Sequence, residues 1–336
     1  MRYLLGRRGF ELSLREKPVP QPGPGEALVR VLGCGVCGTD LHFLRVCEDW
    51  TPLGHEISGE VAAVGQGVRT VSPGDRVAVE DVGACGCCAA CQNGRPQLCT
   101  AMTTLGGQSG MGEYLLVPEA MLVRCDGLDA MTATLVEPLT VSVHAVQTAQ
   151  VPPCGTLAVW GLGPLGLMCI RAARHFGAGT IVAVGSRRGT ERSRHRARLA
   201  RELGADAVVY SQDADLAAQM AAAAPRVDAA VVTSPPGTVP LAVETVSYGG
   251  RVVPIGIDLG GAGRVTLDID QLILQKKSIL PMLSEPALQF PLSVELLRRG
   301  VIPADRLLTH QVPLNDAEAL RRVFEDSAVI KAVVVP

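Results

Sequence analysis

The sequence predicts an α/β protein: a mostly β region followed by a doubly wound parallel sheet. Three observations carry this reading. Up to about residue 148 the chain runs in short alternating segments rich in Gly, Pro and Val. From about 150, short apolar strands alternate with helical segments. Where the second pattern begins, a glycine-rich turn leads from a strand straight into a helix.

The first region holds EALVRVLGCGV, HEISGEVAAVG and GDRVAVED, with turns at PGPGE, VGQG and SPGD. Alternation bounded by Gly and Pro reads as short strands. VEPLTVSVHAVQTAQ has apolar residues at helical spacing and leads into the next region. There TLAVW is a strand, GLGPLGLMCIRAARHFG a turn entering a helix, and TIVAVG a second strand. RARLARELG is a helix ending in Gly; ADAVVY, DAAVVTS and GGRVVPIG continue the strand series. That spacing implies a parallel sheet with helices on both faces. After about 280 comes an isolated helix pair, and the closing IKAVVVP is a strand able to return to the first region.

The chain has 336 residues, 47% of them hydrophobic, so a disordered chain is excluded and about two domains are expected. Lys+Arg is 31 and Asp+Glu 33, for a net charge of -2, which is not the balance of a nucleic-acid binder or a polybasic membrane anchor. The first residues, MRYLLGRRGFELSLREKPVP, lack the apolar core of a secretory signal. No uncharged apolar run approaches the ~18 residues of a membrane span. A cytoplasmic protein is expected, and there a disulfide framework is disfavoured. The 11 cysteines are then metal ligands, buried thiols or nucleophiles. Cys125, Cys154 and Cys169 stand in apolar surroundings and read as buried thiols.

Cys85, Cys88, Cys91 and Cys99 form C-x2-C-x2-C-x7-C. Four thiolates at this spacing suit a closed tetrahedral structural zinc site. Two alternatives stand beside it: a register that uses Cys87, and an iron–sulfur cluster.

Gly161, Gly163 and Gly166, with Pro164 and Leu165 between them, make GLGPLG after a strand and at a helix start. The first Gly permits the tight turn, the second a close pyrophosphate, the third close helix–strand packing. The free N–H groups of the helix start face the phosphates. The acid that commonly holds the adenosine ribose is absent; Ser186, Arg187 and Arg188 follow the second strand instead. Residues 187–201 hold seven Arg against one acid, Glu191. This composition favours a 2′-phosphate, hence NADP over NAD. The competing reading is a solvated Arg-rich face with NAD or dual use. Nucleic-acid binding by these Arg is the remote reading.

Cys37, in CGVCGTDLH, and His55 and Glu56, in LGHEISGE, offer a thiolate, an imidazole and a carboxylate. Three protein ligands leave an open position on zinc, as catalysis requires. Glu137, in VEPLTVSVHA, is either an exchangeable fourth ligand or a group that orients bound water.

With these motifs on the page, the chain resembles the zinc-containing medium-chain alcohol dehydrogenases, nearest the sorbitol and threonine dehydrogenase branch. GVCGTDLH, GHEISGEVAAVG, GVRTVSPGDRV, the four-cysteine lobe, VEPLTVSVHA and VWGLGPLG carry the resemblance. It implies a GroES-like catalytic domain over 1–148, completed by 283–336, and a Rossmann dinucleotide-binding domain over 149–282. It implies two zinc ions per chain, NADP or NAD, and a homodimer or homotetramer. Cys37, His55 and Glu56 match the catalytic zinc ligands, and Glu137 the exchangeable Glu. Thr39 matches the hydroxyl of the proton relay and His42 its outer histidine. The implied reaction interconverts a secondary alcohol (polyol, sugar or cyclitol, or amino alcohol) and its ketone by hydride transfer. Phe43, Glu48, Asp49 and Trp50 lie between relay and second ligand motif, where they either meet substrate or pack the loop. The alternatives are an NADPH-dependent biosynthetic carbonyl reductase, a zinc-free enoyl reductase, and a non-catalytic dinucleotide-binding protein. The intact Cys37–His55–Glu56 set argues against the zinc-free reading. No membrane or nucleic-acid partner is expected.

Overall fold

The computed structural model describes residues 1–258, 260–261 and 263–336. The chain forms two units: Met1–Thr140 with Ser284–Pro336, and Val141–Leu283. The first division falls inside the helix Val136–Ala149.

The main sheet of the first unit has seven strands. Its path runs Leu122–Arg124, Arg76–Val79, Glu56–Val64, Glu26–Gly35, Lys331–Val335 and Leu308–Pro313. Tyr114–Pro118 pairs with Glu26–Gly35 as well. The three segments read as strands in the first region therefore lie side by side. The closing IKAVVVP returns to them, pairing Val333 with Gly35 and Val334 with Cys34. Val29, Val31, Val61, Val77, Val79, Leu115 and Val117 are all buried in the core against this sheet. Arg2–Arg7 and Glu11–Glu16 form an antiparallel pair in a second, three-stranded sheet. The helix Phe290–Arg298 buries Phe290, Val294, Leu296 and Leu297.

The second unit is a six-stranded parallel sheet. Its order is Ala207–Tyr210, Thr180–Gly185, Thr156–Trp160, Ala229–Val232, Arg251–Pro254, Ser278–Ile279. Chain order reverses at Thr156–Trp160, the topological switch point where such sheets bind ligands. Leu157, Ala158, Val159 and Trp160 are buried, as a parallel strand covered on both faces must be. The Arg-rich helix spans Glu191–Glu202, several residues earlier than RARLARELG indicates, because Thr190 Oγ1 caps it by accepting from Ser193 N at 3.1 Å.

Cys125 and Cys169 are buried, and burial pushes their thiols up to about 11 and about 12. Cys154 departs from expectation: it is exposed, at φ 62 in the turn before Thr156. All 11 cysteines are free. Among the described residues no helix is long and apolar enough to cross a membrane.

Phe290, 2% exposed, is among the largest fully buried side chains of its unit. Phe290→Ala is expected to cost ~3–5 kcal/mol, read from the shift of the urea unfolding midpoint.

Candidate functional site

The antiparallel ladder pairs Gly35 with Glu56 and Cys34 with Ile57. Cys37 lies just beyond one strand end, and His55 just before the start of the other. That register gathers one donor atom each from Cys37, His55 and Glu56 within 4.8 Å of one another.

Asp40 fastens the two ligand segments. Its buried carboxylate accepts from Cys37 N at 2.9 Å and from Gly54 N at 2.7 Å. Burial raises its pKa, against the opposing pull of His55 and the two N–H groups. For His55, burial alone would lower the pKa. The Cys37 hydrogen bond and the charges of Cys37, Asp40 and Glu137 outweigh burial, so the imidazole sits well above its usual value. Sequence reasoning missed Asp40. Its spacing from Cys37 fits a capping box, the one local signal available.

Glu56 is 1% exposed. Lys331 Nζ donates to its Oε1, while Oε2 is buried with no hydrogen-bond partner. A Cβ at Gly35 would overlap that free Oε2, so the glycine leaves the space it fills. A thiol, an imidazole and a carboxylate with a free buried oxygen fit a zinc ion with a position left open.

Thr39 and His42 lie on the helix Gly38–Val46 that follows Cys37. Thr39 Oγ1 is 3.6 Å from Cys37 Sγ. His42, one turn on and on the same face, has a buried Nε2 with no hydrogen-bond partner.

Glu137 is placed differently from Cys37, His55 and Glu56. Its carboxylate groups with those of Asp81 and Glu285, with oxygens all within 4.8 Å. Burial pushes Glu137 well above the usual range, eased by His55. Burial and then Asp81 take Glu285 up to about 7. Neither Asp81 nor Glu285 belongs to a local motif, so only the fold brings them to Glu137.

The segment between relay and second ligand motif packs against the N-terminal strand pair and the core. Glu48 pairs with Arg8 at 2.5 Å, both exposed. The Trp50 ring lies under Arg7 at 4.7 Å and Arg15 at 5.2 Å. Phe43 packs against the core.

Cys85, Cys88, Cys91 and Cys99 form a second cluster, with Sγ–Sγ separations of 3.5 Å (Cys88–Cys91), 3.9 Å (Cys88–Cys99) and 4.0 Å (Cys85–Cys91). A disulfide needs about 2.05 Å. A tetrahedron with Zn–S of about 2.3 Å places its sulfurs about 3.8 Å apart, so this cluster fits zinc. Backbone N–H groups of Cys91 and Thr100 draw the Cys88 thiol down to about 6. Cys87 is exposed, 3.7 Å from Cys85, and outside the quartet.

In the second unit Gly161 sits at φ 95, where only glycine is unstrained. A Cβ at Gly166 would strike Gly161 O, whereas one at Gly163 would meet nothing within 4 Å. Gly163 caps the helix, Pro164 opens it, and Leu165 O accepts from Ser142 Oγ at 3.2 Å. This leaves open backbone at a helix start, suited to a pyrophosphate. After the second strand, Ser186, Arg187 and Arg188 are exposed. Arg188 is engaged: its Nε meets Asp213 at 2.5 Å, its Nη2 meets Gln219 at 2.6 Å, and the guanidinium lies 4.7 Å from the Tyr210 ring centroid.

Asp40→Asn loses one acceptor and sets an N–H₂ against a backbone N–H. It is expected to cost ~1–3 kcal/mol. It should also lower metal content outside the four-cysteine lobe, read by elemental analysis alongside the unfolding curve.

Residues 23–127 match the family model for the alcohol dehydrogenase GroES-like domain, and 164–297 that for the zinc-binding dehydrogenase. The chain is 32% identical to L-galactonate-5-dehydrogenase of Escherichia coli (strain K12), covering 99% of this chain and 98% of that protein. It is 30% identical to sorbitol dehydrogenase of Bacillus subtilis (strain 168), covering 97% and 94%. A zinc-binding dehydrogenase of Sinorhizobium meliloti 1021, solved bound to NADP, superposes with a TM-score of 0.87 at 28% identity, covering 100% and 99%. The chain therefore belongs to the zinc-containing medium-chain alcohol dehydrogenases and is an oxidoreductase of alcohols and their carbonyl counterparts.

Proposed function

We propose that the protein interconverts a secondary alcohol of the polyol, cyclitol or amino-alcohol kind and its ketone, with zinc at Cys37, His55 and Glu56. The observation that carries this is the trio of donors within 4.8 Å, one with a buried unpaired oxygen. When bound, zinc supplies a Lewis acid for the substrate oxygen and the nicotinamide supplies the hydride site. The chain's own residues do the rest. Asp40 holds both ligand segments. Thr39 Oγ1 passes the hydroxyl proton, and the unpartnered His42 Nε2 is the base that takes it toward solvent. Asp81, Glu137 and Glu285 supply acceptors for further hydroxyl or ammonium hydrogens of the substrate. This assignment uses Glu137 as a substrate-facing acceptor beside the metal rather than as a permanent ligand.

A second zinc is assigned to Cys85, Cys88, Cys91 and Cys99, for two per chain. The eleven free thiols suit a cytoplasmic setting. A homodimer or homotetramer is supported by apolar residues left exposed around the edge strand Ser278–Ile279, among them Ile257, Ile269, Ile273 and Leu274.

NADP is the favoured cofactor. Arg188 already has Asp213 as counter-ion, so Ser186 and Arg187 are the groups free for a 2′-phosphate. The reductive direction, as a carbonyl reductase working with NADPH, is the second reading this composition favours.

A coupled screen of polyols, aminocyclitols, amino alcohols and matched ketones with NAD(H) and NADP(H) tests the reaction. Turnover is expected with one of these classes, alongside about two zinc ions per chain. Thr39→Ala should lower kcat about 10²-fold or more, and His55→Ala should lose the catalytic metal. A normal rate in metal-depleted His55→Ala would refute zinc catalysis.

Arg187→Ala is expected to raise KM for NADP about tenfold and to leave KM for NAD nearly unchanged. Equal cofactor use before and after the change would remove the case for NADP.

A further inference from the structure

The last strand brings a residue to the metal site that no local motif announces. Pairing of Val333 with Gly35 sets Lys331 beside the ligand ladder. Lys331 is 3% exposed. Its Nζ donates to Glu56 Oε1 and, at 3.2 Å, to Val36 O. The two charged residues lie 275 positions apart in the chain.

We propose that Lys331 is the positioning residue for Glu56 as a metal ligand, holding Oε1 so that Glu56 ligates through Oε2 alone. The inference rests on the zinc reading above. A carboxylate with both oxygens free ligates through one or two of them. A second oxygen from Glu56 would fill the coordination position that a catalytic site must keep open. Lys331 closes that option. An ammonium has three donors and no lone pair, so it occupies Oε1 without competing for the metal. Gly35 acts from the other side, since only glycine leaves room for Oε2. The carboxylate is thus held at one oxygen and given space at the other. A buried ion pair with a purely structural role would not require the second oxygen to stay unpartnered.

The test uses full-length protein with Co2+ exchanged into the catalytic position. Its d–d spectrum reports coordination, and imidazole, a neutral ligand, reports whether a position is open. In Lys331→Met, imidazole affinity should fall about tenfold or more and the spectrum should change, while Lys331→Arg stays near wild type. Loss of catalytic-site cobalt from folded Lys331→Met, with the four-cysteine metal retained, supports the same role. Lys331→Gln is made in parallel, because Met leaves the buried Glu56 Oε1 without a hydrogen-bond donor, which a Gln amide still offers. The Gln amide stops one bond short of the ammonium, so a milder change in the same direction is expected. Folded Met or Gln variants with full metal content and wild-type spectrum and imidazole affinity overturn the proposal. Wild-type protein that takes up no Co2+ outside the cysteine lobe refutes the zinc reading itself, a result distinct from a normal site indifferent to Lys331.

Discussion

The pairing of Gly35 with Glu56 sets the end of one strand against the beginning of another, and the metal site hangs on that register. The strand Glu26–Gly35 also pairs with Tyr114–Pro118 and with Lys331–Val335. Three separate stretches of chain are therefore aligned on one element. Side chains alternate across a sheet, so a slip of one residue would turn Glu56 to the opposite face. It would also set a different residue against the carboxylate, in a place where only glycine fits. The valine-rich core beneath these strands resists such a slip, because the same shift would expose it. Packing energy in the core thus becomes positional accuracy at the site.

The buried charges of the first unit fall into two kinds. Asp40 and the Glu56–Lys331 pair are supplied with donors or a counter-ion by the protein itself. Their arrangement is complete before any ligand arrives, apart from Glu56 Oε2. Asp81, Glu137 and Glu285 are brought together with less of that kind, the backbone N–H groups of Asp81 and Val82 serving Asp81. Charged carboxylates within 4.8 Å of one another would repel by about 3 kcal/mol or more at an effective dielectric of 20. Burial raises the pKa of all three, and neighbouring carboxylates add to it: Glu56 at Asp81, Glu56 and then Asp81 at Glu137, and Asp81 at Glu285. On the zinc reading, the first group is a scaffold for the metal. On the proposed reading, the second group hydrogen-bonds a polyhydroxylated or ammonium-bearing molecule, donating where it keeps a proton and accepting where it does not.

What could be read in the sequence divides along the same line. Both cysteine-containing ligand sets and the glycine-rich turn are local patterns, with chemistry written in their spacing. The strands were legible as well, because alternation and turn residues are local properties. Asp40, Lys331, Asp81 and Glu285 were not. Each sits in an ordinary stretch and acquires meaning only from a partner elsewhere in the chain, and for Lys331 that partner is 275 residues away. Glu137 was singled out by its motif, yet its nearest carboxylate company is set by tertiary structure. Cys154, set in an apolar stretch, is exposed and sits at positive φ, which its sequence surroundings do not announce.

The cofactor loop shows how tertiary contact reweights a motif. In sequence, Arg187 and Arg188 are equivalent cations after a strand. In the fold, Arg188 is drawn onto Asp213, Gln219 and the face of Tyr210, and the Asp213 contact raises its pKa. A cation already paired with a carboxylate offers little net charge to an arriving phosphate. Arg187 has no such partner among the described residues, and its carbonyl accepts from Ser193 Oγ at 2.6 Å, anchoring the loop. The start of the helix Glu191–Glu202 adds its own positive end close by, although Glu191 partly offsets it. On the proposed NADP reading, cofactor choice turns on Arg187 and the Ser186 hydroxyl, set against the nearby Glu191, and not on the seven arginines that the composition displays.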